Sequence, residues 1–253
     1  MSSPILQTKE LSKNFGGLCA VDNVNFSIHP GEIIALIGPN GAGKTTFFNL
    51  LSGVLEPSGG SIHFKGRDIT DLAPHTRCEL GLSRTFQKNS LFPDLTVFEN
   101  LRLGVEVGYG QKNAFWCKAD SNKKVSSKVE ELLAMMDFQG KALTLASNLS
   151  HGDQRLLEVL LGLATKPDLL MLDEPAAGLS PAETHRMIGQ IKHLTEEAIG
   201  NVIIVEHDME VVTELASGIY VLHQGQVLCT GNVDDIKCDP QVQEVYLGRA
   251  VDA

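Results

Sequence analysis

The chain has 253 residues, is 43% hydrophobic and 21% charged, and carries a formal net charge of −10 from 21 basic and 31 acidic side chains. Those values fit a globular chain with a substantial core, one domain or one domain with a subdomain, and they exclude a nucleic-acid binder that relies on a broad basic face. Five scattered cysteines (Cys19, Cys78, Cys117, Cys229, Cys238) form no C-x-x-C pair, so free thiols are expected rather than a zinc or redox motif. Ser2-Ser3-Pro4-Ile5 lacks the basic and apolar regions of a secretory leader, and none is expected. No run approaches the ~18 apolar residues of a membrane span. The densest, 156–164, is interrupted by Glu158, so any membrane role is expected to be peripheral.

Residues 5–11 read as an edge strand. Val24, Phe26 and Ile28 alternate with polar residues, the pattern of a half-buried antiparallel strand. Between them lies Asn14-Phe15-Gly16-Gly17, where Phe15 is either a loop aromatic packed on the core or a ring that stacks on a base. His29-Pro30-Gly31 turns the chain into a short, branched, apolar strand over 32–37. Gly38-Pro39-Asn40-Gly41-Ala42-Gly43-Lys44-Thr45 then fits G-x-x-x-x-G-K-[ST], with Thr46 opening a helix. Strand, glycine loop and helix are the arrangement a phosphate needs. Glycines let N–H groups turn inward, the helix N-terminus adds partial positive charge, Lys44 reaches the β- and γ-phosphates, and the Thr45 hydroxyl can ligand Mg²⁺.

Farther on, Pro57-Ser58-Gly59-Gly60 is a turn and residues 61–64 a strand. Residues 82–87 form a strand ending at Gln87, which is either a plain strand end or a ligand for metal or water. Thr96 with Glu99 makes a capping box. Residues 104–124, polar and glycine-containing, read as an irregular connection. Val125, Val129, Leu132, Leu133 and Met136 follow at helical spacing. Leu149-Ser150-His151-Gly152-Asp153-Gln154 heads a helix over 155–165, with Ser150 and Gly152 serving as an ordinary N-cap or as a second anion-binding end. In Asp168-Leu169-Leu170-Met171-Leu172-Asp173-Glu174-Pro175 an apolar strand delivers two carboxylates at its end. Strand alternation would turn Asp173 toward a metal and Glu174 toward a water. Ser180-Pro181-Ala182-Glu183 is a second capping box, starting a helix to Glu197. Residues 201–206 are a buried strand with His207-Asp208 at its end. Residues 219–222 pair with 226–229, and 242–247 close the chain as a short helix.

In this order the motifs resemble the ABC-type ATPases. The resemblance implies an α/β fold: a P-loop NTPase with a RecA-like core, an N-terminal antiparallel β layer and a helical subdomain. The whole chain, 1–253, would be one ABC ATPase domain, with the β layer and core in 1–86 and 167–253 and the helical subdomain in about 87–166. It further implies ATP and Mg²⁺ as cofactors. Phe15 matches the ring on adenine, and residues 38–46 (Gly38, Pro39, Asn40, Gly41, Ala42, Gly43, Lys44, Thr45, Thr46) match the phosphate loop, or Walker A. Gln87, Thr45 and Asp173 match the metal set. Ser150, Gly152 and Asp153 match the signature segment that completes a partner's site. Glu174 matches the catalytic glutamate and His207 the switch histidine, with Lys44 the third catalytic group. The chain departs from the commonest pattern at His151 and Asp153 (Gly and Gln), at Ser180 (Asp) and at Phe15 (Tyr).

Arg84-Thr85-Phe86-Gln87, Asp173-Glu174-Pro175-Ala176-Ala177-Gly178-Leu179, Glu206-His207-Asp208-Met209 and Val245-Tyr246-Leu247-Gly248 resemble the Liv-type subgroup. That implies an ATP-hydrolysing subunit of an importer for branched-chain or other hydrophobic amino acids, urea or short amides. Its partners would be a second ABC ATPase subunit, identical or paralogous, two permease subunits and, indirectly, an extracytoplasmic solute-binding protein, with no nucleic acid. It would work at the cytoplasmic face of the membrane. A lipopolysaccharide-export ATPase and a soluble non-transport ABC ATPase are the alternatives.

Overall fold

The computed structural model describes residues 3–85, 91–108 and 123–247. The chain forms two compact units, 1–77 with 200–253, and 78–199.

In the first unit, β1 (Leu6–Phe15) and β2 (Leu18–Ile28) form a hairpin, with Gly16 at φ 58° in the turn. β4 (Gly59–Phe64) pairs with the other side of β1, and β5 (Arg67–Asp68) completes an antiparallel layer in the order β2-β1-β4-β5. β1 is therefore an inner strand, not the edge expected from its sequence. The reason is a register shift between Thr8 and Leu11, where Glu10 adopts φ 49° and exposed Lys9 and Glu10 interrupt the alternation. The charged pair mimics a solvent edge, while Leu6, Leu11, Phe26, Ile62 and Phe64 are buried on the other face.

The same unit holds β3 (Ile33–Ile37), flanked in parallel by β8 (Val202–Val205) and β9 (Gly218–His223). β10 (Gln226–Gly231) returns antiparallel to β9, as the turn at His223-Gln224-Gly225 leads one to expect. Strands buried on both faces need continuous apolar runs, which Ile34, Ala35, Leu36, Ile37 and 202–205 supply. α7 (Met209–Leu215), α8 (Val233–Cys238) and α9 (Pro240–Leu247) complete the unit, and Val212, Ile236 and Val242 pack with Ala35, Ile37, Ile219 and Val221.

α1 (Lys44–Ser52) ends at Gly53 in the left-handed conformation. Its terminal carbonyls, at Leu50 and Leu51, accept hydrogen bonds of 2.7 and 2.8 Å from Nη1 of Arg77 on α2 (Pro74–Glu79). The same guanidinium bonds the Leu72 and Thr70 carbonyls, and Arg77 is 1% exposed. A buried arginine thus closes the C-terminal end of the helix whose N-terminal end carries the glycine loop.

In the second unit, β6 (Leu82–Arg84) and β7 (Leu169–Asp173) pair in parallel. Among the described residues, four α-helices accompany them: α3 (Val97–Gly108), α4 (Lys123–Met135), α5 (His151–Ala164) and α6 (Pro181–Glu197). Both capping boxes form. Thr96 and Glu99 exchange bonds of 2.8 and 3.2 Å, and Ser180 and Glu183 do the same beside Pro181. The apolar stripe of Val125, Val129, Leu132, Leu133 and Met136 is buried, as its spacing requires. The expected irregular connection is corrected at both ends: 104–108 belong to α3 and 123–124 to α4, while 109–122 lie outside the described residues. Gly104 and Gly108 are close-packing positions on one helix face. A Cβ at either would stand 2.8 Å from Ala164 Cβ or 2.7 Å from the Thr165 carbonyl. The second compact unit extends from 78 to 199 and includes β6, β7 and α6.

Candidate functional site

The glycine loop joins β3 to α1 and meets the requirements of a phosphate cradle. Gly38, Gly41 and Gly43 adopt φ of 151°, 81° and 99°. A Cβ on Gly38 would lie 2.2 Å from the Leu222 carbonyl oxygen, and one on Gly43 2.4 Å from that of Ala20. At both positions a side chain is excluded by space as well as by backbone conformation. Gly43 is the N-cap of α1 and contributes no side-chain acceptor, so the helix's first N–H groups receive no capping bond from it. Lys44, 9% exposed, donates to the carbonyls of Gly38 at 2.6 Å and Pro39 at 3.0 Å, folded over the loop it would serve. Thr45 is exposed and Thr46 half-buried.

Two other expected residues share this unit. β8 ends beside β3, with the Glu206 N–H donating to the Leu36 carbonyl at 3.4 Å, so His207 leaves the sheet at the end where the glycine loop does. Its imidazole is 63% exposed, 3.9 Å from the buried Glu206 carboxylate, whose oxygen also accepts from the His207 N–H. Phe15 closes β1 at the hairpin tip, 46% exposed with the Lys13 ammonium 5.3 Å from its ring centroid. It is therefore presented to solvent, not packed on the core.

The second unit carries the carboxylates and the signature segment. Asp173 ends the fully buried β7, its side chain 1% exposed. Burial raises its pKa, and the ion pair with Arg84 at 2.8 Å opposes that rise without cancelling it. Glu174 has left the strand at φ 48°. The two acids are therefore parted by a left-handed residue, not by pleat alternation, and that backbone carries strain of the kind concentrated at functional sites.

Ser150 caps α5, its hydroxyl accepting from the Asp153 N–H at 3.2 Å, and remains exposed. Glu183 sits below the ordinary carboxylate range because the Ser180 hydroxyl and N–H donate to it, with the Gly152 N–H adding a further bond. A Cβ on Gly152 would meet Glu183 Oε1 at 2.7 Å, and one on Gly178 would meet His151 Nε2 at 3.2 Å. The head of α5 and the turn before α6 thus interlock through Glu183.

The Asp153 carboxylate is held within its own unit, with the Ser150 hydroxyl at the head of α5 among its partners. It bonds Lys141 at 2.5 Å and Arg186 at 3.0 Å within its own unit and is 5% exposed. Burial alone would raise its pKa, but bonds from Lys141, Ser150 and Arg186 outweigh it and hold the carboxyl below its usual value. A depressed carboxyl adds stability above its unfolded pKa, about 3.9, that is lost as pH falls through the lower folded value. Asp153→Asn is therefore expected to cost about 1–2 kcal/mol near neutral pH, discounted because both cations are partly exposed, and to flatten the acid loss below about pH 4. Thermal unfolding at several pH values reads both effects. Gln87 lies outside the described residues.

Mg²⁺ can be tested against the donors present. Asp173 Oδ1 is buried with no hydrogen-bond partner among the described residues. A bare carboxylate oxygen at a buried strand end suits a hard cation or its water.

The ABC transporter family matches residues 21–177. A further match, to the branched-chain amino acid ATP-binding cassette transporter family, covers 226–252. The chain is 39% identical to the high-affinity branched-chain amino acid transport ATP-binding protein LivG of Escherichia coli K12, over 99% of this chain and 100% of that one. It is 37% identical to BraF of Pseudomonas aeruginosa, another protein of that description, over the same shares. The structure of the ADP conformation of an ATP-binding cassette of an ABC transporter superposes with a TM-score of 0.86 at 29% identity, covering 98% of this chain and all of that one. The glycine cradle, the strand-end carboxylates and these full-length likenesses place the chain in the ABC transporter family, as an ATP-binding cassette.

Proposed function

We propose that the chain is the ATP-hydrolysing subunit of an ABC importer that takes up branched-chain or other hydrophobic amino acids, urea or short amides. The observation that carries the solute class is the C-terminal match over 226–252 together with the likeness to LivG and BraF along the whole chain. It favours uptake over lipopolysaccharide export or a soluble role.

ATP phosphates lie on the 38–46 loop. Thr45, Gln87 and Asp173 would hold Mg²⁺, which would supply neutralisation of phosphate charge. Lys44 neutralises the β- and γ-phosphates, Glu174 takes the proton of the attacking water, and His207 donates to the γ-phosphate. Phe15 offers its exposed face to adenine. Ser150 and Gly152 contact the γ-phosphate held by a second cassette, identical or paralogous. The exposed position of Ser150 at the head of α5 supports this reading.

No helix among the described residues is long and apolar enough to cross a membrane. The likeness to transport ATP-binding proteins supports a cassette that works at the cytoplasmic face with two permease subunits and, indirectly, a solute-binding protein. A docking face for them is supported by exposed Phe92, Leu143 and Leu145. Segment 93–96 pairs with 144–147, and the buried Asn100 amide clamps Phe92 through its N–H and carbonyl. Co-expression with candidate permeases checks the reading. Capture of two membrane subunits and leucine-stimulated ATPase activity in vesicles are expected, and an ATPase indifferent to every such solute would contradict it.

A further inference from the structure

The ion pair between Arg84 and Asp173 carries an inference about how the metal carboxylate is kept ready. Arg84 ends β6 and Asp173 ends β7, and Arg84 faces Met171 in the parallel register, two residues before the acid. Both side chains are withdrawn from water, 9% and 1% exposed. Nη2 of Arg84 donates to Oδ2 of Asp173 at 2.8 Å, while Oδ1 has no hydrogen-bond partner among the described residues. Two other charges act on the carboxylate through space, Glu174 and Arg155, and Arg155 itself donates to Glu158 at 3.0 Å.

An ionised carboxylate this far from solvent needs a counter-charge whether or not a divalent ion is present. Among the described residues, Arg84 is the cation in contact with it. The planar guanidinium also fixes the rotamer by engaging one oxygen and leaving the other open. We infer that Arg84 is the resident counter-cation of Asp173, a positioning residue that holds the carboxylate's charge and orientation in the metal-free cassette and presents Oδ1 to the incoming ion. The inference rests on the reading of Asp173 as a Mg²⁺ ligand. Because arginine and metal share one carboxylate, each weakens the other's hold, and removing Arg84 leaves the ion to supply most of the compensation beside the through-space charge of Arg155.

The test is thermal unfolding with ADP, in EDTA and in Mg²⁺. The wild type is expected to gain melting temperature on adding Mg²⁺, and Asp173→Asn to lose most of that gain. Arg84→Met is expected to melt lower in EDTA and to recover with Mg²⁺, so that its gain is about twofold the wild-type gain or more. Arg84→Lys, which keeps the charge without the planar fork, is expected to fall between them, and it carries the test if Arg84→Met does not fold. An equal drop in EDTA and Mg²⁺, with the gain unchanged or reduced, overturns the role of Arg84 while leaving Asp173 as a ligand. A wild type with no Mg²⁺-dependent gain, or an Asp173→Asn variant that keeps all of it, overturns the metal reading and this inference with it.

Discussion

Glu174→Gln is expected to lower ATP turnover by about 10²–10⁴-fold while ATP binding is retained. The amide keeps the size of the side chain but cannot accept the water's proton. The phosphate-binding groups are on other residues, so the ground-state complex survives and only the proton-transfer step suffers. The backbone supports the choice of this acid. Asp173 is buried and paired with Arg84, whereas Glu174 is half-buried and turned out of β7 at φ 48°. A strained conformation of that kind persists where the surroundings hold it. Glutamine tolerates the same φ about as well as glutamate, so melting temperature is expected to stay near wild type. Pre-steady-state phosphate release, with filter binding of labelled ATP, separates the two effects.

The second large effect is expected at Gly38. Alanine there would drive its Cβ to 2.2 Å from the Leu222 carbonyl at a φ of 151°, which side chains rarely adopt. No flexible group can give way, because Leu222 belongs to β9 and its backbone is held in the ladder with β10, opposite Val227. The loop must move, and the N–H groups it aims at phosphate move with it. Gly38→Ala is expected to cost about 2–4 kcal/mol of stability and to weaken ATP binding by more than about 100-fold. Gly41→Ala offers a contrast: its φ is also positive, but a Cβ there meets nothing within 4 Å. Its stability cost is expected to be smaller, so fluorescent-nucleotide titration and thermal melts on the pair separate collision from conformational strain.

The parts of the chain legible in sequence are those whose physics is local. The glycine loop is contiguous, so its turns, lysine and helix start can be read together. The boxes at Thr96 with Glu99 and Ser180 with Glu183 each span one helical turn. The buried strands 33–37, 169–173 and 202–205 announce themselves by unbroken apolar runs. The parts that escaped depend on distant partners. Arg77 caps a helix 26 residues earlier, and nothing near Arg77 in sequence points to Leu51. Gly104 and Gly108 look like breakers until α5 is seen against them. Asp153 stands in a segment whose neighbours suggest phosphate, yet its charge is taken up by Lys141 and Arg186, 12 and 33 residues away. Strand alternation was the reason to expect Asp173 and Glu174 to point apart, but β7 ends before the second acid, and the φ of 48° at Glu174 turns it out of the strand instead.

Two of this cassette's departures from the commonest pattern, His151 and Ser180, lie at one corner of the second unit. His151, Gly152, Gly178, Ser180 and Glu183 are in mutual reach within the second unit. Glu183 ties the Gly152 N–H to the Ser180 hydroxyl, so the head of α5 and the start of α6 are held by one carboxylate. Ser180 in place of the commoner Asp lets this corner close through an ordinary capping box, without a second carboxylate beside Glu183.

The claim on which the account depends is that Ser150 serves a phosphate bound by another cassette. It is tested by mixing two variants: Lys44→Ala, with a disabled cradle and an intact signature corner, and Ser150→Arg, with the reverse. Each alone is expected to lack ATPase activity, with Ser150→Arg still binding ATP as a monomer. The mixture is expected to regain activity as mixed pairs form, each with one complete site. Normal hydrolysis by Ser150→Arg alone would contradict the account.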